Sequence, residues 1–349
     1  MKESFIKQNS FIIIALFSAV GLLGSYFSVN TSINQSFIKY QVSSVDTTVA
    51  DSIKIKYTKS VANYRLSDAK TESVVIQINN VVFNNNPTFF IWMALIVTMV
   101  TIASGAFPVF IIAMLALYNK FKLRSADVVF PACMALLITI VAILIQSDNK
   151  GAYKLISIFK DFQILFKPGR SSIPEIISIC TIVLTTPIIM TVFMISLASN
   201  KLVKDNENLI KNLIKGHLTL SKLLLNSLQI LALIIVFSIL TTSSLALSIK
   251  NQILIHKKYF DIFPKEFSYL YGLLFSLFLA IVFIPVYIQM QYNAQALVEK
   301  SEQRQEEIEA GLLGKLKMET TAFDNLKILF TVISPLLSSI IPESLQLFK

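Results

Sequence analysis

Long stretches of this sequence contain no charged residue and no histidine. Only 15% of the 349 residues are charged, whereas soluble globular domains carry about 25%. Hydrophobic residues make up 54% of the chain, and the mean hydropathy is +0.66. A water-soluble particle of this length cannot bury so many apolar side chains. The composition therefore excludes a soluble globular domain and predicts a chain that spans a bilayer.

Cysteine and histidine are also scarce. The two cysteines, Cys133 and Cys180, both lie within apolar runs, which excludes a disulfide framework. The two histidines are His217 and His256, and the topology predicted below places them on opposite sides of the membrane. They therefore cannot bind one metal ion together, and we expect no metal site.

Motifs of catalytic and cofactor sites are missing as well. The sequence has no HExxH, GxSxG, GxxxxGK[ST] or GxGxxG pattern and no paired aspartates inside an apolar run. We therefore expect no catalytic residues, no cofactor and no enzymatic activity. Ion-coupled carriers usually place an ionisable residue near the bilayer midplane, and none of the apolar runs contains one.

What the sequence does contain is six apolar runs long enough to cross a bilayer as helices. They predict an all-α polytopic integral membrane protein. The first run follows a basic start and is interpreted as a retained signal anchor, although a cleaved export signal, which would leave five spans, stays open. The six runs are Ser10–Val29, Phe89–Tyr118, Val128–Gln146, Ile176–Ala198, Leu223–Ser248 and Tyr269–Tyr292.

A seventh apolar stretch, Ile328–Ile341, is shorter and contains Pro335. At about 1.5 Å per residue it is too short to span a bilayer, so we predict an interfacial or docked helix.

Four regions follow from this pattern. Residues 1–29 form the anchor helix, 30–88 an extracytoplasmic loop subdomain, 89–292 a bundle of five spanning helices, and 293–349 a cytoplasmic helical tail. The loop subdomain contains SIKIKYTK and ESVVIQINNVVF, whose alternating and β-branched residues predict two strands. The segment around Leu202, Leu213 and Leu224 predicts an amphipathic helix that runs into the fifth span.

Basic residues near the ends of the spans predict the orientation. The turn Asn119–Asp127 carries Lys120, Lys122 and Arg124, and such residues resist translocation. This turn is therefore predicted to be cytoplasmic, with both termini on the same side of an inner (plasma) membrane. The net charge of +10 is scattered through the loops, which favours contact with a lipid surface over contact with nucleic acid.

Prolines interrupt four of the six spans, and three of these follow a pattern. Pro108, Pro187 and Pro285 each begin a segment that leaves the membrane through an asparagine, on helices predicted to run in one direction. These kinks, with Gly105 beside the first, could surround a solute path between repeated helix pairs. Frequent proline in spanning helices is the alternative explanation. The hydroxyls of the fifth span could line such a path or bond within their own helix, and they belong to Thr241, Thr242, Ser243 and Ser244.

Three functions remain open at this point. The favoured one is a non-enzymatic inner-membrane protein of bacterial type that acts through helix packing and partner contacts, as a subunit of a membrane assembly or a membrane-acting effector. Its expected partners are the lipid bilayer and either other membrane proteins or further copies of itself. The first alternative is a channel or uncoupled transporter with kinked helices two, four and six around a path. The second is a sensor whose residues 30–88 detect an outside signal.

Overall fold

The computed structural model describes residues 2–32, 87–147, 173–205, 209–252, 266–304 and 322–340. Every regular element in these ranges is an α-helix. The helices are α1 (Lys2–Ser32), α2 (Pro87–Lys120), α3 (Ser125–Ser147), α4 (Ile173–Lys204), α5 (Ile210–Gln252), α6 (Glu266–Arg304) and α7 (Ala322–Ser338). The two strands predicted in the loop subdomain, and the part of the tail at 305–321, lie outside the described residues.

Six of these helices are long and apolar enough to cross a bilayer. They coincide with the six runs predicted from the sequence, so the expectation of a multi-pass helical membrane protein is confirmed. Many large apolar side chains on their outer surfaces are exposed, including Ile12, Leu137 and Ile281. Hydrocarbon is the medium in which such a surface is stable, because water would not tolerate so large a continuous apolar area.

The bundle is organised around α4 and α5, which pack against each other. α4 also packs against α2, α3 and α6, and more lightly against α1, whereas α5 packs against α2, α6 and α7. Among the described residues α2 and α6 make no extensive contact with each other, because the α4–α5 pair separates them. The buried apolar core follows this arrangement, and its fully buried members include Phe110, Ile188, Ile195, Leu213 and Phe283.

Small residues allow α1 to approach α2 closely. A Cβ added to Gly21 would overlap Ser104 Oγ and lie 2.8 Å from Ser104 Cβ, and a Cβ added to Gly105 would overlap Ser18 Oγ. Each helix therefore supplies one glycine and one serine to a reciprocal contact. Lipid tails are as apolar as these helices, so close backbone approach is a main source of their attraction.

The turn between α2 and α3 is closed by backbone and side-chain bonds. Lys122 adopts a left-handed conformation with φ 46°, and the Leu123 N–H donates to the Tyr118 carbonyl at 3.1 Å. This is a Schellman-type helix end, with lysine at the position that glycine usually occupies. At the start of α3, Asp127 Oδ2 accepts the Arg124 N–H at 2.9 Å, so the carboxylate caps the helix as a capping box does.

The predicted amphipathic helix running from Leu202 into the fifth span is wrong in its continuity. α4 ends at Lys204 and α5 begins at Ile210, so Leu202 belongs to one helix and Leu213 to the next. Both side chains are buried. The helical spacing correctly indicated that Leu202 and Leu213 are buried, but α4 ends at Lys204, before Asp205.

Candidate functional site at the end of α4

The end of α4 is where polar side chains from several helices meet. We define the α4 anchor as residues 199–205 of α4 and its extension, together with the side chains that bond to them. Ser199 is fully buried, although it lies only two residues before the charged Lys201. Among the described residues, this segment bonds both to side chains of α6 and to the α2–α3 turn.

Asn293 of α6 makes the central contacts of the anchor. Its Nδ2 donates to Ser199 Oγ and to Asn200 Oδ1, both at 2.8 Å. Its Oδ1 accepts from Gln289 Nε2 at 3.2 Å, within the same helix. Asn293 is 6% exposed. Its amide therefore has partners on both its donor and its acceptor side, as a buried amide requires.

Lys300 of α6 binds the last carbonyls of the α4 segment. Its Nζ donates to the Val203 carbonyl at 3.0 Å and also to the Asp205 carbonyl. The final carbonyls of a helix have no partner within the helix and carry the negative end of its dipole. An ammonium group from a neighbouring helix satisfies both requirements at once, so Lys300 both caps α4 and ties it to α6.

Lys201 connects α4 to the turn on its other side. Its Nζ donates to the Lys122 carbonyl at 2.7 Å. The turn is thus held in its strained conformation partly by a side chain that lies 79 residues further along the chain. Through Lys201, Ser199 and Lys300, α4 therefore fixes the relative positions of the α2–α3 turn and α6.

The groups in the anchor are amides, hydroxyls, carbonyls, ammonium ions and the carboxylate of Asp205. A nucleophile bonded to a general base, which covalent catalysis requires, does not occur among its described residues. No group of three or more His, Cys, Asp or Glu residues in the described ranges could hold a metal ion. The arrangement is suited to fixing helices against one another.

The chain matches no protein-family model, no curated protein and no solved structure at a significant level. Any function therefore has to be argued from its own residues.

The residues predicted to line a path do not face one common surface. Gly105 lies in the contact with α1, Pro108 and Pro187 are buried, and Pro285 is exposed. Pro108 and Pro285 also lie on α2 and α6, which the α4–α5 pair separates. Their role in a path stays a prediction, and their positions give it little support.

Hydroxyl groups inside the spans mostly bond to their own helix. Thr101, Thr191 and Ser227 each donate to the carbonyl four residues earlier, at 2.7–2.8 Å. Thr242 does the same to Ser238 at 3.0 Å. These hydroxyls thus donate their hydrogen bonds to backbone carbonyls of their own helix, since hydrocarbon offers no water as a partner. Some hydroxyls also bond between helices: Thr139 and Thr186 join α3 to α4 at 2.9 Å, and Ser276 of α6 accepts the Leu336 N–H of α7 at 3.2 Å.

Two buried polar atoms in α5 have no hydrogen-bond partner among the described residues. They are Thr241 Oγ1, in the predicted hydroxyl cluster, and His217 Nδ1, near the start of the helix. Thr241 and Ser243 are buried, and Thr242 and Ser244 are half-buried. His217 is 2% exposed and follows Gly216, which lies against Leu202 of α4. The sequence did not indicate that this histidine would be buried, because lysines surround it along the chain.

Proposed function

We propose that this chain is a non-enzymatic subunit of a larger assembly in a plasma (inner) membrane of bacterial type, and that it acts through helix packing and contacts with partner proteins or further copies of itself. The observation that carries the proposal is the weak attachment of α3. Only 17% of the most apolar membrane-spanning part of α3 is buried, against 33–44% for the same part of α2, α4, α5 and α6. Within the described ranges its extensive packing is confined to α4.

The surroundings of α3 leave room for another helix. α4 is encircled by α1, α2, α5 and α6, but α3 makes no extensive contact with α1 or α6 in the described residues. Leu136, Leu137 and Ile140 are more than half exposed on its outer side. A helix that packs on a single neighbour gains further packing energy if a partner helix covers its exposed side.

The distribution of charge supports a cytoplasmic position for the α2–α3 turn. We call the end of the bundle formed by this turn and the α4 anchor the turn face. Leaving out residues 30–88, the segments predicted to be cytoplasmic contain sixteen Lys and Arg residues in the sequence, and the loops predicted at the opposite end contain nine. The positive-inside rule then favours a cytoplasmic turn face, with the start of α1 on the same side.

The channel or uncoupled-transporter alternative has weaker support. α4 and α5 pack directly against each other at the centre of the bundle, and Pro285 is exposed whereas Pro108 and Pro187 are buried. The sensor alternative depends on residues 30–88, most of which lie outside the described ranges.

Site-specific photo-crosslinking tests the proposal. A benzophenone amino acid is placed at Leu137 of α3 or at Ile281 of α6, which are 55% and 65% exposed. The contacts of α3 and α6 with α4 put both positions at a similar depth in the bilayer. Irradiation in native membranes should give a discrete protein adduct from Leu137 and only lipid adducts from Ile281, because only the α3 flank is proposed as an interface.

Mass spectrometry of the Leu137 adduct would identify the partner as another membrane protein or a second copy of this chain. Lipid adducts alone at both positions, from a protein that purifies as a monomer, would contradict the proposal. Solute flux through purified monomers in liposomes would instead support the channel alternative.

A further inference from the structure

The last residues of α7 lie against the first turns of α6. A Cβ added to Gly272 would come within 2.9 Å of Leu336 Cα and of the Pro335 carbonyl oxygen. The Leu336 N–H donates to Ser276 Oγ at 3.2 Å. α7 thus approaches the backbone of α6 at a glycine, and a serine of α6 accepts a backbone donor next to the proline.

This contact is far from the turn face. Asn293 and Lys300 of α6 bond to the α4 anchor, so the end of α6 lies at the turn face. Gly272 precedes Lys300 by 28 residues, which corresponds to about 42 Å along a helix. A hydrocarbon core is about 30 Å thick. Pro335 and Leu336 therefore lie near the face opposite the turn.

Chain length decides the direction of α7. Consider first an α7 that runs parallel to α6, so that its start extends past the opposite face. Ala322 would then lie about 20 Å beyond the level of Leu336 and about 70 Å from Arg304. The chain between Arg304 and Ala322 can bridge only about 65 Å when fully extended. α7 must therefore run from the turn face toward the opposite face, antiparallel to α6.

Side-chain properties along α7 agree with this direction. Its charged residues, Asp324 and Lys327, occupy its first two turns, and no charged residue follows as far as Ile340. Ile328 packs against the hydrophobic core and Val332 is buried in it. The charged start thus lies about 13–18 Å from the Leu336 level on the side toward the turn face, and the apolar remainder lies beside α5 and α6.

We infer that α7 is a seventh crossing segment, which carries the chain after Ile340 to the face opposite the α2–α3 turn. The sequence-based expectation of a cytoplasmic tail would then hold only up to the start of α7. Seventeen helical residues measure about 25 Å, slightly less than the hydrocarbon thickness, and a bilayer can thin locally at modest cost to match a short segment. The inference depends on the fold and not on the proposed function.

Cysteine labelling in the full-length protein tests this topology. Cys133 and Cys180 are replaced by alanine, and single cysteines are introduced at exposed positions as Thr31→Cys, Ala126→Cys or Ile340→Cys. The first marks the end of α1 at the opposite face, and the second marks the turn face. A membrane-impermeant maleimide is applied to right-side-out and to inverted vesicles.

The maleimide should label Ile340→Cys in the same type of vesicle, right-side-out or inverted, in which it labels Thr31→Cys. It should not label Ile340→Cys in the other type. Labelling together with Ala126→Cys would overturn the inference. If Ile340→Cys reacts in neither orientation, an epitope tag after Lys349 and external protease decide the outcome. Digestion of the tag in vesicles that expose Thr31→Cys supports a crossing α7, and digestion in those that expose Ala126→Cys overturns it.

A matched glycine pair tests whether the described contact holds α7 in place. Gly272→Leu forces a side chain into the α7 backbone, whereas Gly24→Leu enters open space. In the Ile340→Cys background, Gly272→Leu should abolish the one-sided labelling and Gly24→Leu should preserve it. Unchanged labelling with Gly272→Leu would show that α7 does not depend on this contact, which would overturn the argument made from it.

Discussion

Gly21→Leu should destabilise the protein by about 1–3 kcal/mol, because a larger side chain has no space between α1 and α2. The first added carbon already overlaps Ser104 Oγ and lies 2.8 Å from Ser104 Cβ. α1 packs mainly on α2 and only lightly on α4. The substitution should therefore release most of its packing. The free energy of unfolding in mixed detergent micelles measures this loss.

Gly24→Leu on the same helix is the control, because a Cβ there meets nothing within 4 Å. It should leave the stability unchanged or raise it slightly, since leucine favours a helix over glycine by somewhat under 1 kcal/mol. The exchange Gly21→Ser with Ser104→Gly should recover part of the stability that Gly21→Ser alone loses, because the pair again contains one small residue. Equal losses for Gly21→Leu and Gly24→Leu would show that α1 does not pack on α2 in this register.

Asn293→Leu should cost about 2–3 kcal/mol of stability, because it keeps the side-chain volume but removes both interhelical bonds of the amide and leaves buried polar partners unpaired. Ser199 and Asn200 would lose donors that now lie at 2.8 Å. Gln295→Leu, at an exposed position of α6, should change the stability by less than about 0.5 kcal/mol. Unfolding in mixed micelles compares the two.

A double-mutant cycle with Ser199→Ala isolates one of these bonds. The coupling energy between positions 199 and 293 should be about 0.5–1.5 kcal/mol, the range found for hydrogen bonds between membrane helices. Additive effects of the two substitutions would mean that the Asn293–Ser199 bond contributes nothing to stability, and the α4 anchor would then have no energetic basis.

The six spans could be predicted from the sequence because hydrocarbon sets a simple requirement, about twenty consecutive residues without charge. The ends of the helices could not be predicted in the same way. The charge-free run begins only at Leu223, because Lys211, Lys215 and Lys222 precede it, and the leucine spacing extended the predicted helix back past Leu202, whereas α5 begins at Ile210. These lysines lie on the outer side of a helix whose other side buries Leu213 and Ile214. A rule based on charge-free length cannot detect a helix that continues beyond the bilayer.

The kinds of residue at the helix contacts could be predicted from the sequence, but the particular pairs of residues that meet could not. α1 contains several small residues, and only the register of the two helices decides that Gly21 meets Ser104 whereas Gly24 faces open space. The recurring asparagines at the ends of three helices were noticed, and two of them, Asn200 and Asn293, do bond to each other. The roles of Lys201 and Lys300 were missed, because their partners are backbone carbonyls whose positions depend on where other helices end.

Depth-dependent fluorescence quenching tests the central claim, that hydrocarbon surrounds these helices, most directly. Trp92 is the single tryptophan in the sequence. A protein carrying Trp92→Phe and Leu137→Trp would report from the exposed middle of α3. In bilayers with bromine atoms at different depths along the lipid tails, we expect the strongest quenching from bromines near the bilayer centre. Emission typical of water that no brominated lipid quenches would contradict the account.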